Sequence, residues 1–385
     1  MIGSLPPQKG VSRYTHDLCA ALAADPAIEL EVLAFKSLYP RWLYSGGDPV
    51  DVHAGFAPIA GARTRVVLRW WNPLGWILAG LTLRGDVVHA QWWSFPLAPV
   101  YVALLALARL RSRLVLVTLH NVEPHERGNL ARIANRVVLP FAHHVIVHTQ
   151  ANESALAARG LDATRVSVVA HGVGDHVPRD PGRRAAARAA LRLPQEAPVV
   201  LFLGNIRPYK GLGVLLEAFL HVRRDHPHAR LAIVGQLWAG ATDPQPRLAA
   251  LGLEPCTSVV LEYVSRHAMQ QWFDACDVAV YPYTHLDAQS GAAGEALQRG
   301  CPIIVSDVGG LPELVRDTRA IVAPASPDAL AEAISRVLAD RSLADKLSIE
   351  ARDTAAQMSW PTVARTTAQL YETLQPARGA AGGRR

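Results

Sequence analysis

One stretch in the second half of the chain, 281–313, combines a loop suited to phosphate with two carboxylates. A buried strand is predicted to end at its first residue, followed by a polar loop and a helix that begins near Ser290 and Gly291. Such a loop directs backbone N–H groups and the positive end of the helix dipole toward one point, which favours phosphate binding. Asp287 lies in the loop and Glu295 in the second helical turn, so carboxylates flank the predicted phosphate site.

This arrangement resembles the donor site of family 4 of the retaining GT-B glycosyltransferases, where a Glu-x7-Glu pair occupies the same setting. The turn over 309–313, Gly-Gly-Leu-Pro-Glu, is also typical of that family. The resemblance implies that Glu295 binds the nucleotide ribose, that Asp287 binds donor-sugar hydroxyls, and that Ser290 and Gly291 contribute to donor binding. Asp287 departs from the family pattern and is one methylene shorter than glutamate, which leaves the position or identity of the sugar open.

Two cations lie in a second family-like segment, 201–211, between a predicted strand and a predicted helix. The family's phosphate-binding arginine and lysine correspond to Arg207 and Lys210. Two cations at a strand–helix turn can neutralise a diphosphate and stabilise it as it leaves. Lys210 is the more informative, because all but four of the 39 basic residues are arginine. The alternative is a pair of solvated loop cations.

Three further positions match the family's pattern. Gly10 ends a loop similar to the family's Pro-Pro-x-x-Gly-Gly and would let the backbone approach the donor closely. Lys9, beside Gly10 in this loop, either adds charge to the diphosphate site or points to solvent. His120 ends a buried strand, where open α/β sheets bind ligands, and the resemblance implies a catalytic-site histidine near the donor sugar and acceptor. Val264 corresponds to the segment that contacts the nucleotide base through backbone groups.

Apolar runs alternate with helical stretches along almost the whole chain, which predicts parallel, doubly wound sheets. The strands are predicted at 28–35, 65–68, 86–90, 114–119, 145–148 and 166–170, and then at 199–204, 231–235, 259–262, 278–281, 303–306 and 320–323.

The predicted fold class is α/β, and the resemblance implies GT-B: two Rossmann-like, doubly wound parallel-sheet domains facing a central cleft. We expect an acceptor-side N-terminal domain over 1–175, a donor-binding domain over 176–358, a helix over 359–377 that crosses back to the first domain, and a disordered tail over 378–385. Residues 1–4 match the end of a first strand. Either that strand is short in this protein or the chain begins late relative to the family.

Composition narrows the function classes. The net charge is +6, but no block of basic residues is interleaved with aromatics, so nucleic acid is not an expected partner. Four scattered cysteines without C-x-x-C spacing predict neither a zinc site nor a disulfide framework and fit a reducing cytoplasm. No signal-peptide pattern is visible. The uncharged run 87–108 is predicted as core strand, loop and helix, with a transmembrane span as the minority alternative.

Tryptophan is concentrated in the first domain, which holds six of the nine. Around Arg69, the residues Trp70, Trp71 and Trp76 accompany an apolar helical stretch. A membrane-surface or lipid-acceptor patch is one interpretation, and ordinary core packing is the other.

The sequence therefore predicts a cytoplasmic enzyme, in one interpretation peripheral at the inner face of the cell membrane. It would move a sugar, with retention, from a nucleoside-diphosphate sugar to a glycan or polyprenyl-linked acceptor. No D-x-D motif occurs, so we expect neither metal ion nor cofactor. Two alternatives stay open. Asp287 and Lys9 suggest a catalytically impaired relative acting as a carbohydrate- or nucleotide-binding or scaffold protein. A GT-B sugar-nucleotide epimerase is the other, against which the turns at 207–211 and 309–313 argue.

Overall fold

The computed structural model describes residues 1–39, 50, 58–111, 113–122, 129–238, 240–286 and 289–375. It divides into two compact units. The first comprises Met1–Gly172 together with the segment that begins at Trp360, and the second comprises Val173–Ser359. Each unit is built on one parallel sheet flanked by helices, which confirms the predicted pair of doubly wound α/β domains.

The described strands of the first sheet are β1 (Ile2–Gly3), β2 (Leu30–Ser37), β3 (Ala62–Arg69), β4 (Val87–Trp92), β5 (Leu114–Leu119), β6 (His144–Val147) and β7 (Val166–Val168). Those of the second sheet are β8 (Val199–Leu203), β9 (Arg230–Val234), β10 (Thr257–Val260), β11 (Val278–Tyr281), β12 (Ile303–Ser306) and β13 (Ile321–Val322).

The helices of the first unit are α1 (Ser12–Ala23), α2 (Pro73–Leu81), α3 (Ala98–Leu110), α4 (Asn129–Val138), α5 (Gln150–Ala157) and, from the C-terminal segment, α13 (Trp360–Leu374). Those of the second unit are α6 (Pro181–Ala190), α7 (Leu212–Asp225), α8 (Gln245–Ala250), α9 (Arg266–Ala275), α10 (Gly291–Gln298), α11 (Pro327–Ala339) and α12 (Arg341–Gln357).

Both sheets reverse their strand order at one point. The orders are β3-β2-β1-β4-β5-β6-β7 and β10-β9-β8-β11-β12-β13, so the reversals fall between β1 and β4 and between β8 and β11. The loops that leave the carboxyl ends of the two strands at such a point diverge and leave a crevice, where doubly wound proteins bind their ligands. A ligand site is therefore expected at the loops after β1, β4, β8 and β11.

The first sheet carries a helical layer on each face. Trp76 of α2, Tyr101 of α3 and Val138 of α4 share one core cluster, whereas Tyr14 of α1 and Val363 of α13 belong to the other. The helices α2, α3 and α4 thus form one continuous layer in which α3 lies between the other two.

All twelve predicted strands are present. Three have the predicted ends, and the others differ by one to three residues at one or both ends. The displacement is largest at β3, which is predicted over 65–68 and extends over Ala62–Arg69. This edge strand is mostly half-buried or exposed, and arginines alternate with its other residues in the first half, so its apolar signal covers only part of its length. The run 87–108 forms β4 and α3, as predicted. None of the helices within the described ranges has the length and apolar character that a bilayer span requires.

Candidate functional site

The loop after β8 buries a lysine at the point where the second sheet reverses its order. The chain leaves β8 through Gly204, makes a 3-10 turn over Pro208–Lys210, and enters α7 through Gly211 in the left-handed conformation (φ 69°). A side chain at Gly211 would collide with the backbone carbonyl of Pro282, just beyond β11. Glycine therefore lets the β8 and β11 loops touch, and the Thr284 amide reinforces the contact by donating to the Tyr209 carbonyl at 2.7 Å.

Lys210 is enclosed by this contact and is only 9% exposed. Its ammonium lies 5.0 Å from the centre of the Tyr283 ring. A Cβ built on Gly204 would lie 3.0 Å from that ammonium and 3.4 Å from the Cβ of Ala292 in α10, so the cation and the first turn of α10 approach the same spot. Burial lowers the Lys210 pKa from 10.5 to about 8. At neutral pH the site thus holds a poorly solvated positive charge, which an anion would stabilise.

Arg207 is held by an aromatic side chain from the neighbouring loop. Its guanidinium lies 4.2 Å above the ring of Trp238. The two loops are joined by backbone hydrogen bonds, in which the Ile206 amide donates to Gln236 at 2.8 Å and the Trp238 amide donates to Ile206 at 3.0 Å. Stacking on an indole orients a guanidinium without consuming its N–H donors, so Arg207 keeps the capacity to bind an anion.

The first turn of α10 supplies backbone donors to the same edge of the sheet. Ser290 is the N-cap, and its hydroxyl accepts from the Ala293 amide at 3.4 Å and contacts the Tyr283 hydroxyl at 3.1 Å. Gly291 is the first helical residue, and a Cβ there would meet no neighbouring atom within 4 Å. In an α-helix the amides of the first turn have no intrahelical acceptor and suit an anionic ligand.

The remaining predicted residues of the second unit lie on the same carboxyl edge or outside the described ranges. Glu295 lies about one turn inside α10 and is half-buried. Val264 is half-buried, follows β10 and precedes α9. Asp287 lies outside the described residues. The structure therefore brings Lys210 close to Ser290 and Gly291 at the start of α10, and Glu295 lies further along the same helix.

In the first unit, Gly10 lies in the loop after β1 with a φ of 89°. A Cβ at this position would lie 3.0 Å from the indole nitrogen of Trp93, which follows β4. The two loops at the order reversal of the first sheet therefore also approach each other closely. Lys9, beside it, is half-buried.

His120 follows β5 and belongs to a buried chain of polar side chains. Its Nε2 lies 2.9 Å from the Gln91 amide and its Nδ1 lies 3.2 Å from Nε2 of His148. His148 in turn lies 2.9 Å from the carbonyl of Val169 through Nδ1. The ring of Tyr14 packs against both histidines, with centroid separations of 4.7 Å and 5.1 Å.

The Val169 carbonyl determines which groups donate and which accept in this series of hydrogen bonds. The Val169 carbonyl only accepts, so Nδ1 of His148 carries the proton, and Nε2 of a neutral His148 accepts from Nδ1 of His120. Nε2 of a neutral His120 must then accept from the Gln91 amide, whose oxygen and nitrogen are interchangeable by shape. Burial lowers the His148 pKa to about 3 and holds the His120 pKa well below its usual range, so both rings are neutral near pH 7.

With both ring nitrogens engaged and 8% exposure, His120 is suited to positioning and not to proton transfer. Gln91, His148 and Tyr14 were missed as partners by sequence reasoning. The register of the parallel strands could have found Gln91 and His148. Thr118, two residues before His120, pairs with Gln91 on one side and with Ile146 on the other, and Ile146 lies two residues before His148. Among the described residues, no group of three or more histidine, cysteine or acidic side chains is arranged to hold a metal ion.

Two protein families match the chain in sequence. Residues 9–172 match the glycosyl transferase 4-like domain, and residues 183–354 match the glycosyl transferases group 1. Together these matches span most of both structural units.

The sequence is also similar to curated relatives. It is 34% identical over 222 residues to the D-inositol 3-phosphate glycosyltransferase of Streptomyces bingchenggensis, covering 55% of this chain and 48% of that protein. It is 34% identical over 225 residues to the enzyme of the same name from Nocardioides sp., covering 54% of this chain and 49% of that protein. The matched region thus spans about half the length of these relatives.

Solved structures resemble the fold over nearly the whole chain. Anabaena HepE in complex with UDP matches with a TM-score of 0.74 and 19% identity, covering 97% of this chain and 99% of that one. Sucrose-phosphate synthase from Thermosynechococcus elongatus matches with a TM-score of 0.71 and 21% identity, covering 97% and 98%. At these identities the similarity establishes the GT-B fold.

Proposed function

Because this chain belongs to family 4 of the GT-B glycosyltransferases, we propose that it transfers a sugar from a nucleoside-diphosphate sugar to an acceptor hydroxyl, with retention at the anomeric carbon. The observation that supports this most directly is the buried Lys210 at the order reversal of the second sheet, beside the first turn of α10. A site of this kind is matched to a compact polyanion, and a diphosphate supplies one.

The proposed roles combine the geometry around Lys210 with the family resemblance, which supplies the roles of Asp287, Glu295 and Val264. Lys210 and the first-turn amides of α10 bind the diphosphate, and Arg207, oriented by Trp238, adds a second cation. Glu295 binds the ribose, and Asp287 binds donor-sugar hydroxyls. A base contact by the backbone near Val264 completes nucleotide binding.

In the proposed reaction the sugar–phosphate bond breaks as charge accumulates on the departing diphosphate. Fixed positive groups stabilise that charge more strongly as it develops, which lowers the barrier. The departing phosphate accepts the proton of the acceptor hydroxyl on the same face of the sugar, so retention requires no enzyme nucleophile. Gly10 and His120 belong to the acceptor-side unit, where a neutral, hydrogen-bonded His120 would fix the shape of the pocket wall.

Nucleoside diphosphate sugars are the proposed donors in view of the UDP-glucose complex of HepE. The acceptor is proposed to be a glycan or a polyprenyl-linked sugar in polysaccharide or glycolipid biosynthesis. The second of these acceptors would place the enzyme at the inner face of the cell membrane, with the first unit in contact with lipid.

The test is nucleoside-diphosphate release from a panel of UDP- and GDP-sugars, with and without a lipid extract, by the wild type and by Lys210→Ala. A matched control is Lys346→Ala, because Lys346 lies in the same unit and is engaged by Asp317 at 2.8 Å. We expect release by the wild type and the control, and a strong loss in Lys210→Ala. Anomeric proton couplings of the product, compared with those of the donor, test retention.

If the protein binds nucleotide but releases no nucleoside diphosphate from any donor sugar, whatever the acceptor, the result would support the scaffold alternative and contradict the proposal. Release that is equal in the wild type and in a folded Lys210→Ala variant would remove Lys210 from the site.

A further inference from the structure

Exposed apolar side chains are concentrated on one unit. Of the fourteen large apolar side chains that are exposed in the described residues, twelve belong to the first unit and two to the second. Soluble domains scatter such residues singly, and a concentration on one surface marks an interaction site.

The helix α2 shows the concentration most clearly. Trp76, Ala79 and Gly80 face the core, and Gly80 lets the helix approach Leu107 of α3. The outward face is also apolar and carries Leu74 (79% exposed), Ile77, Leu78 (64%) and Leu81. Trp71, immediately before the helix, is 55% exposed. An ordinary surface helix carries charged and polar residues on this side, and α2 has no charged residue at all.

The helix α4 repeats the pattern in the same layer. Ala134 and Val138 face the core, whereas Leu130, Ile133 and Val137 are exposed at helical spacing. We call the outward side chains Trp71, Leu74, Ile77, Leu78 and Leu81, with Leu130, Ile133 and Val137, the α2/α4 face.

Charge on this layer has one sign. Arg132 and Arg136 are exposed on α4, and Arg109 is exposed on α3. The three helices have no acidic residue. In the described part of 73–138 the one acidic side chain is Asp86, which lies 4.0 Å from Arg113.

We infer that the α2/α4 face docks on an anionic phospholipid bilayer, with its apolar side chains in the headgroup–acyl boundary and its arginines on lipid phosphates. An apolar helix face rimmed by arginine, with an exposed tryptophan beside it, is the composition that binds in this interface. The guanidinium of Arg69 lies 5.6 Å from the Trp71 ring, so a cation lies beside this exposed aromatic side chain. This inference rests on the proposed function, in which the first unit contacts lipid, and it names the surface that makes this contact.

A second copy of the chain fits the face less well. A two-fold interface brings the same patch against itself, so the arginines of α3 and α4 would meet arginines without the carboxylates to neutralise them. An anionic lipid surface supplies opposite charge and apolar depth together.

The test is flotation of the full chain with vesicles of phosphatidylcholine alone or mixed with phosphatidylglycerol. We expect binding to the anionic vesicles that weakens with salt. The double variant Leu74→Ser/Leu78→Ser should lose binding, and Arg132→Gln/Arg136→Gln should bind the anionic vesicles roughly 30-fold more weakly, at about 1 kcal/mol for each arginine. Ile349→Ser is the matched control, because Ile349 is an exposed apolar helical residue (49%) of the second unit.

Every arm is read without donor or acceptor, so the result is independent of turnover. Thermal melting and nucleotide binding of each variant establish that it is folded. No vesicle binding by the wild type, or equal binding by Leu74→Ser/Leu78→Ser, would overturn the inference, as would a concentration-dependent dimer broken by the leucine variant in place of lipid binding. Loss of vesicle binding in the variants supports it even if the protein transfers no sugar.

Discussion

Replacing Lys210 with methionine should stabilise the ligand-free protein and impair its reaction. Burial lowers the Lys210 pKa from 10.5 to about 8, so the charged side chain is less favourable in the folded than in the unfolded chain. A pKa difference of about 2.5 corresponds to about 3 kcal/mol at about 1.4 kcal/mol per pKa unit. The lost contact between the buried ammonium and the Tyr283 ring offsets about 0.5–2 kcal/mol of this. Lys210→Met should therefore raise the free energy of unfolding by roughly 1–3 kcal/mol near pH 7.

The pH dependence has a defined sign. Between about pH 8 and pH 10.5 the unfolded chain holds a proton that the folded chain has released, so the wild type gains stability as pH rises. The advantage of Lys210→Met is therefore complete below about pH 8 and should roughly halve by about pH 9.5. Urea unfolding of the wild type and of Lys210→Met at about pH 7 and about pH 9.5 measures this change in relative stability.

Catalysis should change in the opposite direction. Removal of one preorganised charge from a developing anion costs about 2.7–4 kcal/mol of barrier, or about 10²–10³ in turnover. Lys346→Met is the control, because Lys346 is 55% exposed and lies 2.8 Å from Asp317. That change should cost at most about 1 kcal/mol of stability and leave turnover unchanged. A Lys210→Met variant that is both less stable and fully active would refute the reasoning.

Four further outcomes follow from the site and its surroundings. Chelation with EDTA should leave turnover largely intact. Complete loss of turnover that an added metal ion restores would contradict the assignment of diphosphate binding to Lys210 and Arg207. By calorimetry and donor turnover, Asp287→Asn should lose turnover but keep nucleotide affinity, whereas Glu295→Gln should weaken nucleotide binding itself. Trp238→Leu should weaken nucleotide binding by about 0.5–1 kcal/mol through loss of the Arg207 contact, and Trp238→Phe should recover part of it, with unchanged affinities arguing against the role. Burial lowers the pKa of both His89 and His148 to about 3. The free energy of unfolding should therefore fall by about 1.4 kcal/mol per pH unit for each of them as pH decreases from 6.5 toward 3, and urea unfolding that does not change over this range would contradict it.

The fold was predictable because its signal is local. Each strand of a doubly wound sheet is a short buried run, and the runs at 114–119, 278–281 and 303–306 have the same ends in sequence and structure. Edge strands such as β3 carry a weaker signal, because half of their residues face solvent. The order reversal between β8 and β11 then indicates where Lys210 and the first turn of α10 meet.

The environment of the site residues was not predictable from spacing. Burial of Lys210 depends on Tyr283 and on the close contact between Gly211 and the Pro282 carbonyl, which lies 71 positions away in the chain. The contact of Arg207 with Trp238 requires the Ile206 loop to pair with the next one. Such contacts are set by how two loops leave neighbouring strands, and neither loop alone contains that information.

A buried cation by itself does not indicate a ligand, and a second one in the same unit shows why. Arg188 is fully buried, but its guanidinium donates to Asp277 at 2.8 Å and to the carbonyls of Ala275 at 2.9 Å and Ala197 at 2.7 Å. Its charge is neutralised within the fold, so it anchors α6 to the start of β11. Lys210 has no carboxylate within ion-pair distance among the described residues, and Arg207 nearby lowers its pKa further. Below about pH 8, where Lys210 is charged, an anion from outside the described residues would relieve this unfavourable charge. The carboxyl ends of β8 and β11, where Lys210 lies, are where a bound diphosphate would provide one.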